Sequence, residues 1–293
     1  MQDHEWSLVY PGTALTWGPR HRPVINRTKP EITGPELRVD DADLPRGDGR
    51  MFGQDFRSGA AIVFNLGMIA ASEQAVRDLA AEVTAAWRGD RVRSVPGAVA
   101  ELRARYAGRE RTTYGRPRRC DLDYRFAEQG VITGIAEFAM VADCWYGPTE
   151  STSVGIAPGV GGGLVAPLSA PLLTTQDSDR SAAVTVTGLL PARPVLTVLG
   201  PIVNPTVELV GLWSIGLQTT LAYDQAVTVD TRPWARSVLR SGGGSAAGAL
   251  TRQSPRLADA TIPAGVHELV LRGTDGTGTA RAELSWQPTY PSL

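Results

Sequence analysis

The chain has 293 residues, of which 42% are hydrophobic and 20% are charged. This length favours two domains over one large domain, and the composition excludes a disordered protein. There are 29 basic and 30 acidic residues, and the resulting net charge of −1 argues against a general nucleic-acid-binding protein. Lys29 is the only lysine, so every other cation is a planar guanidinium suited to carboxylate pairing and protein contacts.

The first 58 residues are rich in proline and predict short strands and turns. Strands are expected near residues 6–10 and 14–17, and turns across residues 39–49. Residues 60–70 then alternate between apolar and polar positions, which indicates a longer strand. Neither the N-terminal residues nor the longest apolar stretch, residues 59–71, suits a signal peptide or a membrane span. We therefore expect a chain made in a cytoplasm that does not insert into a membrane.

One long helix is predicted after this strand. Ser72 is its expected N-cap, and Arg88 followed by Gly89 is its expected end. A single apolar stripe runs along it, formed by Val76, Leu79, Ala80, Val83 and Trp87. The stripe predicts that this helix packs on a sheet.

A β-hairpin is predicted next, with strands at residues 102–106 and 109–114 joined by Ala107-Gly108. A helix over residues 98–106 is the competing interpretation. Further strands are expected at residues 120–126 and 131–142, the second of them central in its sheet. The first half of the chain therefore predicts a mixed α+β domain.

The second half has a different pattern. Glycine and proline concentrate in residues 147–171, which indicates a domain junction. Short strands at regular spacing follow without helices, a pattern typical of a β-sandwich. They are expected at residues 184–190, 195–199, 206–212, 215–223, 226–230, 234–240, 266–272 and 280–287.

Charge is distributed unevenly along the chain. Residues 77–125 carry 12 basic and 7 acidic side chains, whereas the segments on either side are net acidic. An arginine-rich segment in an acidic chain suits a protein that binds copies of itself. The candidate subunit-interface residues are Arg103, Arg105, Arg109, Arg111, Arg116, Arg118 and Arg119.

Residue patterns for catalysis or metal binding are weak. The three histidines, His4, His21 and His267, come without a GxSxG motif or another sign of a catalytic site. The glycines of residues 159–163 lack the GK[ST] ending of a phosphate-binding loop. The acids between Asp40 and Asp48 do not have calcium-loop spacing. We therefore expect no catalytic residue, metal or cofactor.

Two further pairs of residues have structural interpretations. Asp121 and Asp123 share a strand face, but flanking arginines favour salt bridges over a pair of catalytic carboxylates. Cys120 and Cys144 have no CxxC spacing, and we expect two reduced, buried thiols.

The order of several short segments resembles a known family. The segments are Tyr114-Gly115-Arg116-Pro117-Arg118-Arg119, then 138–146, 200–205, 229–233, 262–269 and 282–288. Together with the predicted elements they resemble the distal tail (Dit) proteins of long-tailed siphophages, above all the minor tail proteins of phages of actinobacteria. The resemblance covers essentially the whole chain.

The resemblance implies a mainly β protein of two domains. Residues 1–150 would form a belt domain, an α+β domain with a β-sheet, one helix and a β-hairpin. Residues 151–171 would be a linker, and residues 172–293 a galectin-like β-sandwich.

The implied function is structural, without catalysis. Six copies would form a ring at the distal end of the tail, assembled in the host cytoplasm, that joins the tail tube protein to the tail-tip hub protein. The tape-measure protein and then DNA would pass through its lumen, and other minor tail proteins are further candidate partners.

A second function remains open, a glycan-binding or glycan-cleaving β-sandwich protein that attaches to the host surface. The sandwich has no large insertion, only a small Gly-Ser loop at residues 241–248. A glycan platform would need exposed aromatic rings, for which Trp213, Trp234 and Trp286 are the candidates. Of these, Trp286 alternates with Leu284 and is expected in the core.

Overall fold

The computed structural model describes residues 1–19, 22–156 and 181–293. The chain divides into two compact units. Unit 1 contains Met1–Gly147 together with Tyr290–Leu293, and unit 2 contains Pro148–Thr289. The glycine run at 159–163, most of the expected linker and His21 lie outside the described residues.

Unit 1 is built on one large antiparallel sheet. Its main strands are β1 (Trp6–Tyr10), β2 (Thr13–Trp17), β3 (Val24–Asn26), β4 (Glu31–Thr33), β9 (Ala61–Ile69), β10 (Ala100–Tyr106), β11 (Arg109–Asp123), β12 (Val131–Met140) and β13 (Trp145–Tyr146). The order across the sheet is β2-β1-β10-β11-β12-β9-β3, and β4 also pairs with β9. Strand β12 lies between β11 and β9, so its predicted central position is confirmed.

The two ends of this sheet meet and nearly close it into a barrel. The Gly18 N–H donates to the Val24 carbonyl at 3.1 Å, and the Asn26 N–H donates to the Gly18 carbonyl at 3.1 Å. A Cβ at Gly18 would lie 2.4 Å from the His4 carbonyl oxygen, and its φ is +145°, so this close approach requires glycine. Near-closure leaves β2 and β3 with few unpaired backbone groups.

Helix α1 (Glu73–Arg88) packs its apolar stripe against the inside of the sheet. The Ser72 hydroxyl accepts a hydrogen bond from the Ala75 N–H, and Gly89 ends the helix at φ 60°, as predicted. Trp87 meets the rings of Trp17 and Phe64 edge to face, with centroids 5.3 and 6.1 Å away. A short helix, α2 (Asp90–Arg93), follows. Neither helix is long and apolar enough to cross a membrane, as far as the structure describes the chain.

The predicted β10–β11 hairpin is confirmed, and the competing helix over residues 98–106 is wrong. Residues 100, 102 and 104 are fully buried while their neighbours are not, which is the two-residue period of a strand. The strand expected at residues 120–126 is the end of β11 and stops at Asp123.

The turns expected at residues 39–49 are part of a long hairpin. It contains β5 (Leu37–Arg38), β6 (Ala42–Asp43), β7 (Arg50–Met51) and β8 (Phe56–Arg57). Strand β5 pairs with β8, and β6 pairs with β7. These two pairs continue the β4–β9 hairpin beyond Thr33, which opposes Ala61. We call residues 34–58 the arm. Its strands have two residues each and few apolar alternations, so the sequence pattern did not reveal them.

Unit 2 is a β-sandwich, as predicted. Its strands are β14 (Glu150–Gly155), β15 (Ala182–Val186), β16 (Val195–Leu199), β17 (Ile202–Leu209), β18 (Trp213–Gly216), β19 (Thr220–Leu221), β20 (Ala226–Asp230), β21 (Ser237–Arg240), β22 (Gly265–Thr274) and β23 (Arg281–Trp286). The last strand of the chain, β24 (Thr289–Tyr290), pairs with β13 in the large sheet instead. One sheet has the order β14-β23-β16-β20-β21, and the other β15-β22-β17-β18 with β19 beside β17. Their inner faces share one apolar core.

Three details of unit 2 differ from expectation. Residues 151–155, expected in the linker, are paired with β23 as part of β14. The single strand expected at 215–223 is two strands, because Leu217 leaves the ladder to pair with Leu250. The last four residues, 290–293, belong to unit 1. The roles assigned to the two domains stay predictions.

Candidate assembly surface

The seven candidate interface arginines lie on β10 and β11, but they do not share one environment. Arg103 donates two hydrogen bonds to the Glu101 carboxylate, and the same contact raises the pKa of Arg103. Arg105 donates to the Met1 carbonyl at 2.7 Å and lies 3.6 Å from the Asp3 carboxylate. Arg105 therefore stabilises the unit's own N-terminal segment, whereas Arg103 pairs with a neighbour on its own strand.

Two other candidates also bind within unit 1. Arg116 donates to the carbonyl oxygens of Ala98 and Val95, both at 2.8 Å, and thereby fixes the loop before β10. The Arg111 guanidinium lies 3.8 Å from the centroid of the Tyr290 ring. Sequence reasoning assigned both side chains to a subunit interface without finding these contacts, which join residues far apart in the chain.

A β-bulge in β11 displays the remaining arginines. Pro117 opposes Phe138 and Cys120 opposes Ala136, so Arg118 and Arg119 together face the single residue Glu137 of β12. Arg119 contacts the Asp121 carboxylate. Arg118 and Arg109 are exposed and have no carboxylate partner within residues 1–19, 22–156 and 181–293.

Arg93, which sequence reasoning missed, completes the bulge. Its guanidinium donates to the carbonyls of Pro117 and Arg118, both at 2.8 Å, and thus satisfies backbone oxygens that the bulge removes from the ladder. Because Arg93 lies on α2, this contact also joins the helical segment to the sheet. Only the tertiary fold brings residue 93 next to residues 117 and 118.

We call Arg88, Arg91, Arg93, Arg118 and Arg119 the bulge patch. All five are exposed. The nearby carboxylates are Asp90, which pairs with Arg88 at 3.0 Å, Asp121 beside Arg119, and Glu137 opposite the bulge. Five guanidiniums against three carboxylates leave the patch positive, as expected from the charge of residues 77–125.

The other polar candidates have structural contacts. The Arg125 guanidinium pairs with the Asp123 carboxylate at 2.5 Å and lowers the pKa of Asp123, so the predicted salt bridges of Asp121 and Asp123 are confirmed. His4 packs edge to face on the Tyr106 ring, and His267 Nε2 lies 2.9 Å from the Pro263 carbonyl.

Cys120 and Cys144 are reduced thiols that form no disulfide, as predicted, but only Cys144 is buried, and Cys120 is partly exposed. Burial, aided by the charge of Asp121, raises the pKa of the Cys120 thiol to about 11. Within residues 1–19, 22–156 and 181–293, histidine, cysteine and acidic side chains form no cluster of three or more suited to a metal ion.

The three tryptophans named as glycan candidates are not exposed platforms. Trp213 and Trp286 are buried, which confirms the core position predicted for Trp286. Trp234 is half-buried with the Arg232 guanidinium 5.5 Å above its ring. The exposed aromatic ring of unit 2 that sequence reasoning overlooked is Tyr223, 80% exposed in the turn before β20.

Comparison with solved structures identifies the class of fold. Solved proteins of phage adsorption hubs and baseplates share this fold, a mainly β chain with one long helix, a nearly closed sheet and a β-sandwich. In particular, the chain is similar to the Dit protein of phage SPP1, a hub protein of the adsorption apparatus of phages that infect Gram-positive bacteria. The TM-score is 0.57 at 12% identity over 97% of this chain and 98% of that one.

Two structures of the phage P2 baseplate in its activated conformation also match. The calcium form has a TM-score of 0.58 at 13% identity over 99% of both chains. The strontium form has a TM-score of 0.54 at 13% identity over 96% of this chain and 97% of that one. No protein-family model and no curated protein matches the sequence. At such low identities, the structural matches show a shared fold.

Proposed function

We propose that this protein is a structural component of a long non-contractile phage tail, in which six copies form a ring at the distal end. The ring joins the tail tube protein to the tail-tip hub protein, and the tape-measure protein and then DNA pass through its lumen. The observation that carries this proposal is the match in fold across nearly the whole length of both the chain and the SPP1 hub protein. A match confined to one sandwich would not have this weight, because single sandwiches serve many functions.

The charge distribution supports self-association. The bulge patch is positive and the arm is acidic, and two different complementary surfaces on one chain build a ring when the rotation between copies closes. The candidate interface is therefore narrower than the seven arginines on β10 and β11. Arg109, Arg118 and Arg119 are its exposed members, whereas Arg103, Arg105, Arg111 and Arg116 are engaged within unit 1.

The test is the mass and shape of the purified protein. Light scattering after gel filtration should give six times the chain mass of 31.2 kDa, and negative-stain images should show six-fold rings. An antibody against the chain should label the distal tip of intact tails. A protein that stays at 31.2 kDa up to its solubility limit, with no label at the tip, would overturn the proposal.

A second candidate function, glycan binding by unit 2, has one observation in its favour. Tyr223 is exposed beside a groove of about 390 Å³ that is lined by Asp224, Gln225, Arg240 and Ser241 among others. An aromatic face next to polar side chains suits a sugar ring. Binding of host cell-wall glycans that is lost in Tyr223→Ala and kept in Tyr124→Ala, at an exposed tyrosine of unit 1, would support it. No binding by the assembled wild-type protein would exclude it.

A further inference from the structure

The arm carries a concentration of exposed apolar side chains. Phe52 is 81% exposed, and Met51 and Val39 are 61% and 58% exposed. The full set in the arm is Leu37, Val39, Leu44, Met51, Phe52 and Phe56. A group of exposed apolar side chains on one short segment marks a surface that another molecule covers.

The arm is also acidic. It contains six carboxylates, at Glu36, Asp40, Asp41, Asp43, Asp48 and Asp55, and four arginines. Two of these arginines are engaged, since Arg50 lies 3.6 Å from both Asp41 and Asp43 and Arg57 pairs with Asp143 at 2.9 Å. Asp40, Asp48 and Asp55 have no cation partner among the described residues. The surface that covers the arm must therefore accept both apolar groups and negative charge.

The bulge patch has the complementary chemistry. Among the residues that the structure describes, the guanidinium of Arg93 binds only carbonyl oxygens and Arg118 has no carboxylate partner, while Arg91 donates to the Pro11 carbonyl at 3.1 Å. Two exposed apolar side chains lie close to the patch, one along the chain and one across the ladder. Val95, 51% exposed, follows α2, and Ile135, 42% exposed, opposes Asp121 in the β11–β12 ladder.

The arm can extend beyond its own unit. It continues the β4–β9 hairpin by about 13 residues to its tip, a reach of roughly 40 Å at most for an extended strand. The Arg57–Asp143 pair joins its base to the rest of unit 1, and mutual hydrogen bonds between Glu36 and Ser58 hold its two strands together there. No carboxylate of the arm contacts the bulge patch within the described chain.

We propose that the arm of one copy docks on the bulge patch of a second copy. The inference rests on the proposed ring and names its contact. The carboxylates of Asp40 and Asp48 pair with Arg118 and Arg119 of the next copy, and the apolar side chains around Phe52 cover Val95 and Ile135. Because the two surfaces differ, each copy contacts one neighbour with its arm and the other neighbour with its patch. Repetition of this contact builds a closed ring.

Charge reversal on each side tests this contact. The arm variant is Asp40→Arg with Asp48→Arg, and the patch variant is Arg118→Glu with Arg119→Glu. All four side chains are exposed, so both variants should keep the wild-type circular dichroism spectrum. The controls are the single reversals Asp224→Arg and Arg252→Glu, at exposed residues of unit 2 that have no salt bridge within the described part of the chain.

Each variant alone should shift from the assembled species to the 31.2 kDa monomer in sedimentation velocity, because like charges then meet at every contact. An equimolar mixture should assemble again. The basic arm of one variant meets the acidic patch of the other, and the remaining wild-type arm and patch also match. The two controls should assemble like the wild-type protein.

The outcomes separate this inference from the proposed function. A monomeric wild-type protein would overturn the ring itself. A wild-type ring together with variants that still assemble would leave the ring standing and overturn the arm contact. Variants that dissociate but do not assemble when mixed would show that the arm and the patch do not touch each other, which also overturns it.

Discussion

The guanidinium carbon of Arg111 lies 3.8 Å from the centre of the Tyr290 ring. The contact joins the β10–β11 hairpin to residues 290–293, which return to unit 1 at the end of the chain. A cation held over an aromatic face contributes about 1 kcal/mol at a partly exposed site. Arg111 therefore has a structural role within unit 1, whereas the charge pattern predicted a role at a subunit interface.

Replacement of this cation should destabilise unit 1. We expect Arg111→Ala to lower the free energy of unfolding by about 1 kcal/mol, which is a fall of roughly 2–4 °C in Tm. Arg109→Ala is the control, since Arg109 is an exposed neighbour on the same strand with no carboxylate partner in the described chain. Equal melting temperatures for the two variants would contradict a stabilising role for the Tyr290 contact.

The N-cap of α1 gives a second prediction. Ser72 Oγ accepts from the Ala75 N–H at 3.2 Å, one of the helix donors that has no partner within the helix. Ser72→Ala should cost about 1 kcal/mol in urea unfolding, while Ser72→Asp should keep most of the stability because aspartate also caps helices. A Ser72→Asp variant as unstable as Ser72→Ala would argue against the cap.

Asp275 predicts a dependence of stability on pH in unit 2. Partial burial raises its pKa, but hydrogen bonds from the N–H groups of Ala280, Thr277 and Thr279 and from the Thr277 hydroxyl outweigh burial and lower it to about 2. In the unfolded chain the pKa of an aspartate is about 3.9. The carboxylate therefore stabilises the fold above about pH 4, and this stabilisation is lost as the pH falls toward 2.

The Asp275→Asn variant isolates this effect. It should be less stable than the wild type at pH 7, by about 1–2 kcal/mol, and the difference should shrink as the pH falls through the window from 4 to 2. Urea titrations at several pH values measure it. A difference that stays constant with pH would show that the carboxylate charge does not contribute.

The two thiols should differ from an exposed cysteine in reactivity. The pKa of Cys120 is raised to about 11, and Cys144 is buried with its Sγ 3.2 Å from the Tyr146 hydroxyl. Because the thiolate is the reacting form, we expect slow reaction with a thiol reagent at pH 8 and two rapid equivalents in urea. Fast labelling of Cys120 in the folded protein would contradict the raised pKa.

Elements with local signals in the sequence were predicted correctly. The apolar stripe from Val76 to Trp87 and the cap at Ser72 predicted α1, and Ala107-Gly108 between alternating runs predicted the β10–β11 hairpin. Both patterns depend on residues close in the chain, and their periods are fixed by backbone geometry. The regular spacing of short strands likewise predicted the sandwich of unit 2.

The partners of the arginines depend on contacts that only the folded chain forms. Arg116 turns to the carbonyls of residues 95 and 98, Arg93 completes a bulge 24 residues away, and Arg111 meets a ring near the end of the chain. The arm was also invisible in the sequence, because its two-residue ladders have no hydrophobic period and rely on alignment with β4 and β9. Charge gives a segment its sign, but a guanidinium binds whatever acceptor or ring the fold brings within reach, and that depends on contacts between residues far apart in the sequence.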